Sequence, residues 1–85
     1  MVKGAVMKKT AVTNSIRMHR FMANEMTQQE LADRVGVSRQ TIVAIEKAKY
    51  SPTLELAFKI AQVFEKPLDE VFRYESKSEQ SAKRG

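Results

Sequence analysis

The sequence predicts an all-α domain of five short helices arranged around a central helix-turn-helix. Within residues 28–47, two segments carry apolar residues at the spacing of one helix face. Gly36 stands between them, where a residue that tolerates positive φ would end the first helix sharply. Thr27 and Ser38 precede the two segments, and each hydroxyl can accept a bond from a free backbone N–H. Glu30 completes a capping-box pattern with Thr27.

The two central helices must pack closely together, because helices this short are not stable alone. Ala32 is small where we expect the helices to cross, and Val37 supplies an apolar contact under the turn. The remaining apolar positions of the pair are Leu31, Val35, Ile42 and Ile45. Together with Gly36, these residues define a helix-turn-helix over residues 28–47.

A first helix is predicted over residues 14–23, capped by Thr13 or Asn14. Its apolar positions are Ile16, Met18, Phe21 and Met22. His19 is the single histidine, and the chain has no cysteine. His19 therefore has no second histidine or cysteine with which to form a metal site or a catalytic pair. We therefore expect His19 to be packed in or beside the core.

Two further helices follow the motif, over residues 54–65 and 68–74. Pro52 ends any continuation of the motif, and Thr53 can cap the fourth helix. That helix has too many apolar residues for one stripe. The residues predicted to face the core are Ala57, Ile60, Ala61 and Phe64. Three further apolar side chains of this helix would then lie outside the core and be exposed unless another surface packs on them: Leu56, Phe58 and Val63.

Composition divides the chain into three parts and excludes several classes of protein. Residues 1–12 carry three lysines and no acid, which indicates a flexible basic arm, either a disordered leader or a segment that touches phosphates. Residues 13–74 form the domain, with nine basic and eight acidic residues. Residues 75–85 predict a disordered polar tail. No apolar run approaches a membrane span, and the absence of cysteine suits the cytoplasm.

Local charge is more informative than the net charge of +5. Residues 39–49 carry a net charge of +2, whereas residues 53–74 carry −1. A basic face with a slightly acidic back is typical of a polyanion-binding protein, although an ordinary solvated charge pattern would look the same.

The second motif helix has side chains suited to reading DNA in the major groove. Arg39 can donate two hydrogen bonds to guanine, and Gln40 can both donate to and accept from adenine. Val43 and Ala44 share the outward face and could lie against a thymine methyl group. The side chains that we expect to contact phosphates are Gln28, Ser38, Thr41, Lys47 and Lys49. Tyr50 could contact a phosphate or pack in its loop, and Glu46 should pair with a nearby Lys or Arg or orient the loop.

The segments GVSRQTI, YSPTLELAFKIAQVF and PLDEVF resemble the Cro/phage-repressor type of helix-turn-helix regulators, also called XRE-type regulators. The resemblance covers roughly residues 14–74. It implies a five-helix lambda-repressor-like domain in which Gln28, Arg39 and Gln40 contact double-stranded DNA. The chain departs from the family at His19, where an aliphatic residue is usual, and in a longer loop before Thr27.

These features favour a transcriptional regulator that acts as a homodimer reading a pseudo-palindromic operator. The residues expected at the dimer interface are Leu56, Phe58, Val63, Val71 and Phe72. The alternative is a protein-binding module, such as an antitoxin or coactivator, that docks its partner on the fourth helix and Phe72. An enzyme is not expected, because the chain has one histidine, no cysteine, no H-E-x-x-H or G-x-G-x-x-G motif and no phosphate-cradling glycine loop, and no cofactor is implied.

Overall fold

Five helices and two short strands form residues 10–75, the part of the chain described by this computed structural model. In chain order they are β1 (Val12–Asn14), α1 (Ile16–Met22), α2 (Gln28–Val35), α3 (Arg39–Glu46), α4 (Leu54–Val63), α5 (Leu68–Val71) and β2 (Phe72–Tyr74). The five helices occur in the predicted order, but the fold is not all-α. None of these helices combines the length and hydropathy needed to cross a membrane.

Hydroxyl caps begin the three central helices, as the sequence predicts. Thr27 Oγ1 accepts the N–H of Glu30 at 3.0 Å, and the Glu30 carboxylate accepts the N–H of Thr27 at 2.9 Å. Ser38 and Thr53 cap α3 and α4 through their own hydroxyl oxygens. Gly36 ends α2 in the left-handed region, with a φ of 77°. The bounds of the helix-turn-helix are therefore set by local hydrogen bonds.

The core is built from one face of each helix. Its fully buried large side chains are Ile16, Leu31, Ile42, Ile45, Ile60 and Val71. Ala32 is completely buried and Val37 packs against the core from the turn, as predicted. The four core residues predicted for α4 are also confirmed: Ala57, Ile60, Ala61 and Phe64.

A two-stranded antiparallel sheet closes the domain, and the sequence did not predict it. Val12 pairs with Tyr74 and Asn14 pairs with Phe72. The fifth helix was expected to continue to residue 74, but α5 ends at Val71 because Phe72 already has the extended dihedrals φ −123° and ψ 147°. The chain therefore changes from helix to strand in one residue.

The predicted arm and tail only partly overlap the described residues. The predicted arm includes residues 10–12, yet Val12 lies in β1 and the Thr10 N–H donates to the carbonyl oxygen of Ala48 at 2.9 Å. At the other end, the Glu75 N–H donates to the carbonyl oxygen of Ala11 at 2.8 Å. The ordered domain thus extends beyond residues 13–74 on both sides. The remaining residues of both segments, 1–9 and 76–85, lie outside the described residues.

α1 begins later than predicted, and its N-cap is Ser15 rather than Thr13 or Asn14. The Ser15 hydroxyl makes no capping bond and instead donates to the carbonyl oxygen of Glu70 at 2.9 Å. Asn14 belongs to β1, but its Oδ1 accepts the N–H of Ile16 at 3.1 Å. The Asn14 side chain therefore satisfies a free N–H of α1 from one position further out.

Only one side of α1 is buried. Ile16 and His19 lie one turn apart and point inward, and the His19 ring stacks on Phe64 with ring centroids 5.4 Å apart. The prediction of a packed histidine is confirmed. The other apolar residues of α1 are exposed: Met18, Phe21 and Met22.

Candidate nucleic-acid interface

α3 presents one polar face to solvent and buries the opposite face. Ile42 and Ile45 are buried against the core. Arg39 and Gln40 are exposed in the first turn, and Val43 and Ala44 are half-buried one turn further along. Because residues three or four apart share a helix face, the positions predicted to read bases lie side by side on the accessible surface.

The two hydroxyls at the start of α3 are partly committed to each other. Ser38 Oγ accepts the N–H of Thr41 at 3.2 Å and lies 3.0 Å from Thr41 Oγ1. Since two hydroxyls that share one hydrogen bond keep one hydrogen free, the pair retains a single donor for a phosphate oxygen. The pair therefore combines a capping role with one available phosphate contact.

An ion pair ties α3 to α1. Arg20 Nε lies 2.7 Å from Glu46 Oε2, and Arg20 Nη2 lies 3.1 Å from Glu46 Oε1. Arg20 Nη1 also donates to the carbonyl oxygen of Met26 at 2.9 Å. Glu46 therefore pairs with a basic residue, as predicted, and its charge is neutralised within the protein.

Gln28 joins this network through its side chain. Its Nε2 donates one hydrogen to Glu46 Oε1 at 3.2 Å, which leaves the second amide hydrogen available. A phosphate contact from Gln28 could use this hydrogen or the backbone N–H at the start of α2, where the first N–H groups of a helix have no partner within it. The bond to Glu46 thus restricts the orientation of the Gln28 amide.

Arg17 is a basic residue of this surface that the sequence analysis missed. Its side chain is exposed on α1 and lines the same polar cleft as Gln28 and Lys47. No acidic partner lies within ion-pair distance of it among residues 10–75. The sequence does contain a signal for Arg17: it lies three residues before Arg20, and this spacing places both arginines on the side of α1 that faces α2 and α3.

The residues after α3 continue the basic surface. Lys47 and Lys49 are exposed, and Tyr50 is exposed by 45%. Ala48 lies between the lysines in a left-handed conformation with φ 58°, which turns the chain sharply at the end of the helix. The lysines therefore extend the surface formed by α3, and Tyr50 is partly accessible beside them.

The residues predicted for the dimer interface fall into two groups. Phe58 is exposed and Leu56 and Val63 are half-buried on α4. By contrast, Val71 and Phe72 are core residues, 1% and 8% exposed, because the turn from α5 into β2 directs both inward. The prediction for these two residues is therefore wrong.

Within residues 10–75, no group of three acidic, histidine or cysteine side chains could hold a metal ion.

This geometry defines a helix-turn-helix protein whose second motif helix is accessible along one polar face. A model of the family described as "Helix-turn-helix" matches residues 20–71, more than half of the chain. The chain therefore belongs to the XRE-type helix-turn-helix family, as its resemblance to Cro and phage repressors predicted.

Archaeal relatives are similar over most of their length. An uncharacterized HTH-type transcriptional regulator of Methanocaldococcus jannaschii is 52% identical over 62 residues, which cover 73% of this chain and 92% of that protein. One from Archaeoglobus fulgidus is 52% identical over 60 residues, 69% of this chain and 84% of that protein. A putative DNA-binding protein from Bacteroides fragilis shares the fold, with a TM-score of 0.64, 22% identity and coverage of 73% of this chain and 98% of that one.

Proposed function

We propose that this protein is a sequence-specific DNA-binding transcriptional regulator that inserts α3 into the major groove. The observation that carries the proposal is the division of α3 into a buried face and an accessible face with Arg39 and Gln40 in its first turn. Side chains at the start of a recognition helix are those that reach base edges in helix-turn-helix proteins. The names of the archaeal relatives, which call them transcriptional regulators, support the same role.

Phosphate contacts would lie beside α3 and beyond its end. Arg17 and Lys47 line the cleft beside the start of α2, and the exposed Lys49 follows the end of α3. Glu46 does not oppose this charge, because both its oxygens are occupied by Arg20 and Gln28. Contacts of this kind position a protein on the duplex without reading its sequence.

The regulator would act as a homodimer, because one domain of this size makes few base contacts. Two copies related by a twofold axis could read half-sites about 34 Å apart, or roughly ten base pairs. Leu54 and Phe58 lie one turn apart on α4 and are 65% and 49% exposed. Leu54 also borders a groove that it shares with Tyr74, which is 68% exposed. We assign the dimer interface to this surface of Leu54, Phe58 and Tyr74.

Selection of bound fragments from random DNA tests the proposal directly. We expect a short pseudo-palindrome whose half-site separation reports the dimer. On the selected duplex, Arg39→Ala should lose about 1–3 kcal/mol of binding free energy and relax the preference at one base position. Lys47→Ala should weaken selected and random duplexes alike. Enrichment of no sequence, or equal effects of both substitutions on both duplexes, would contradict base reading by α3.

The protein-binding alternative depends on the same exposed apolar side chains of α4, since Phe72 is buried. An antitoxin or coactivator would cover Leu54 and Phe58 with a different polypeptide. A stable complex with such a partner, together with no retention of the selected duplex, would favour this alternative over the regulator.

A further inference from the structure

The Asn14 side chain connects the start of α1 to the end of α3. Its Nδ2 donates to the carbonyl oxygen of Ile45 at 2.7 Å, and its Oδ1 accepts the N–H of Ile16 at 3.1 Å. These two bonds fix the orientation of the amide, because with its nitrogen and oxygen exchanged each atom would face a group of its own kind. The side chain is therefore held between two helices that lie far apart along the chain.

The bond to Ile45 engages a carbonyl group in the last turn of α3. The last carbonyl groups of a helix have no partner within it and need one elsewhere. The carbonyl oxygen of Ile45 accepts the N–H of Ala48 at 2.9 Å and takes the Asn14 amide as its second partner. Since Asn14 belongs to β1 and Ile45 is a core residue, this bond anchors the end of α3 to the sheet.

The other polar ties of α3 attach to the same end of the helix. Within residues 10–75, its hydrogen bonds to other helices and strands are made by its last two residues, Ile45 and Glu46. Arg39 lies six residues before Ile45, or about 9 Å along the helix axis. Over that length, a tilt of about 10° about the anchored end would displace the first turn by about 1.5 Å. Hydrogen bonds to bases form over a range of only about 0.5 Å, so the anchors at one end control base contacts at the other.

We infer that Asn14 is a positioning residue for base reading: by holding the Ile45 carbonyl group, it sets the angle at which Arg39 and Gln40 meet base edges. This inference rests on the proposed function and adds a residue that acts through α3. Phosphate contacts position the protein without reading its sequence, so a tilted α3 should still bind DNA. Loss of the anchor should therefore reduce sequence preference more than it reduces binding to random DNA.

The test compares three variants of the full chain, at a temperature where circular dichroism shows each to be folded. Asn14→Ala removes both amide bonds, whereas Asn14→Asp keeps an oxygen for the Ile16 N–H and removes only the donor to Ile45. Ser15→Ala is the matched control, because the Ser15 hydroxyl ties the same start of α1 to the Glu70 carbonyl oxygen in α5 instead of to α3. Fluorescence anisotropy gives the dissociation constants for the selected duplex and for a random duplex.

The measured quantity is the ratio of the two dissociation constants, which cancels the uniform effect of the charge added by Asn14→Asp. Both Asn14 variants should reduce this ratio about tenfold, the discrimination lost with one bidentate base contact. Ser15→Ala should keep the parental ratio. A parental ratio in Asn14→Asp, or an equal reduction by Ser15→Ala, would overturn the inference, because the effect would then belong to the cap of α1 or to general loosening.

Arg39→Ala separates positioning from a merely structural role. If Asn14 acts through α3, Arg39→Ala should reduce the ratio less in the Asn14→Asp background than in the parent, since the base contact is already weakened there. In the Ser15→Ala background it should have its full effect, as expected for independent sites. Full additivity with Asn14→Asp would contradict the positioning role.

The parent protein distinguishes this result from failure of the proposed function. A parent that binds both duplexes equally would refute base reading and the role of Asn14 together. A parent that prefers the selected duplex, with the same preference in Asn14→Asp, would refute the role of Asn14 alone.

Discussion

Arg20 and Glu46 form a two-bonded ion pair between α1 and α3, with distances of 2.7 and 3.1 Å. The side chain of Arg20 is only 15% exposed and that of Glu46 only 10%, so the pair is largely removed from water. Because α3 carries the side chains proposed to read bases, this pair helps to fix the orientation of that helix relative to α1. It also prevents Glu46 from repelling phosphates.

Glu46→Ala should destabilise the fold by about 3 kcal/mol, because it leaves the Arg20 guanidinium nearly buried without its counter-charge. Urea unfolding followed by circular dichroism measures the change. The control is the double variant Arg20→Met with Glu46→Met, which replaces both charges by apolar side chains and should recover most of the loss. A single variant as stable as the parent would contradict the structural role of the pair.

Ala48→Gly and Glu65→Gly should each stabilise the protein by about 0.5–1 kcal/mol. Both residues have positive φ, 58° and 56°, and this conformation costs a residue with a Cβ about 1–2 kcal/mol. Glycine removes that strain, but part of the stabilisation is lost because glycine gives the unfolded chain more conformational freedom. Thermal unfolding provides the measurement. Gln62→Gly, at an exposed position inside α4, should destabilise by about 1 kcal/mol instead. The same sign of change at all three positions would refute the explanation.

Local signals predicted the helix-turn-helix well, whereas contacts between distant segments were not predictable. The caps at Thr27 and Ser38 and the turn at Gly36 depend on neighbouring residues only. The pairing of Val12 with Tyr74 joins strands of three residues across almost the whole domain, and three residues give too little alternation to indicate a strand. The sequence therefore predicts that Phe72 continues the fifth helix.

Within the candidate site, residue types were predictable and partners were not. The sequence indicates that Glu46 needs a cation, but several basic residues could have served, and only the packing of α1 selects Arg20. Likewise, the sequence predicts a phosphate contact by the Gln28 amide and by free backbone N–H groups, but it does not predict that this amide donates to Glu46. Arg17 was missed because it lies outside the motif, and only the fold brings α1 beside the start of α2.

Phe58→Glu should convert the proposed homodimer to a monomer, because it places a charge in the apolar surface shared with Leu54. Sedimentation at tens of micromolar should show a dimer for the parent and a monomer for the variant, with weaker binding to the two-half-site duplex. Phe21→Glu is the matched control, since Phe21 is an equally large apolar side chain that is 67% exposed on a different helix, α1. A parent that sediments as a monomer, or dissociation by Phe21→Glu alone, would contradict the assigned interface.

Gln28→Glu should weaken binding to every DNA sequence and lower stability by about 2 kcal/mol. The amide nitrogen of Gln28 donates to Glu46 at 3.2 Å in a part-buried site beside the polar cleft. A carboxylate at this position would lose the bond to Glu46 and would instead face a like charge.

The adjacent residue offers a control with the same chemistry but different exposure. Gln29 Nε2 donates to Asp33 Oδ1 at 2.9 Å, so Gln29→Glu also brings two carboxylates together one residue further along α2. Both of these side chains are exposed, and solvent screening should limit the loss of stability to about 0.5 kcal/mol. Urea unfolding and anisotropy on random duplex measure the two variants side by side. Equal losses would show that Gln28 has no special place in the Arg20–Glu46 network, and that its effect on DNA comes only from added negative charge.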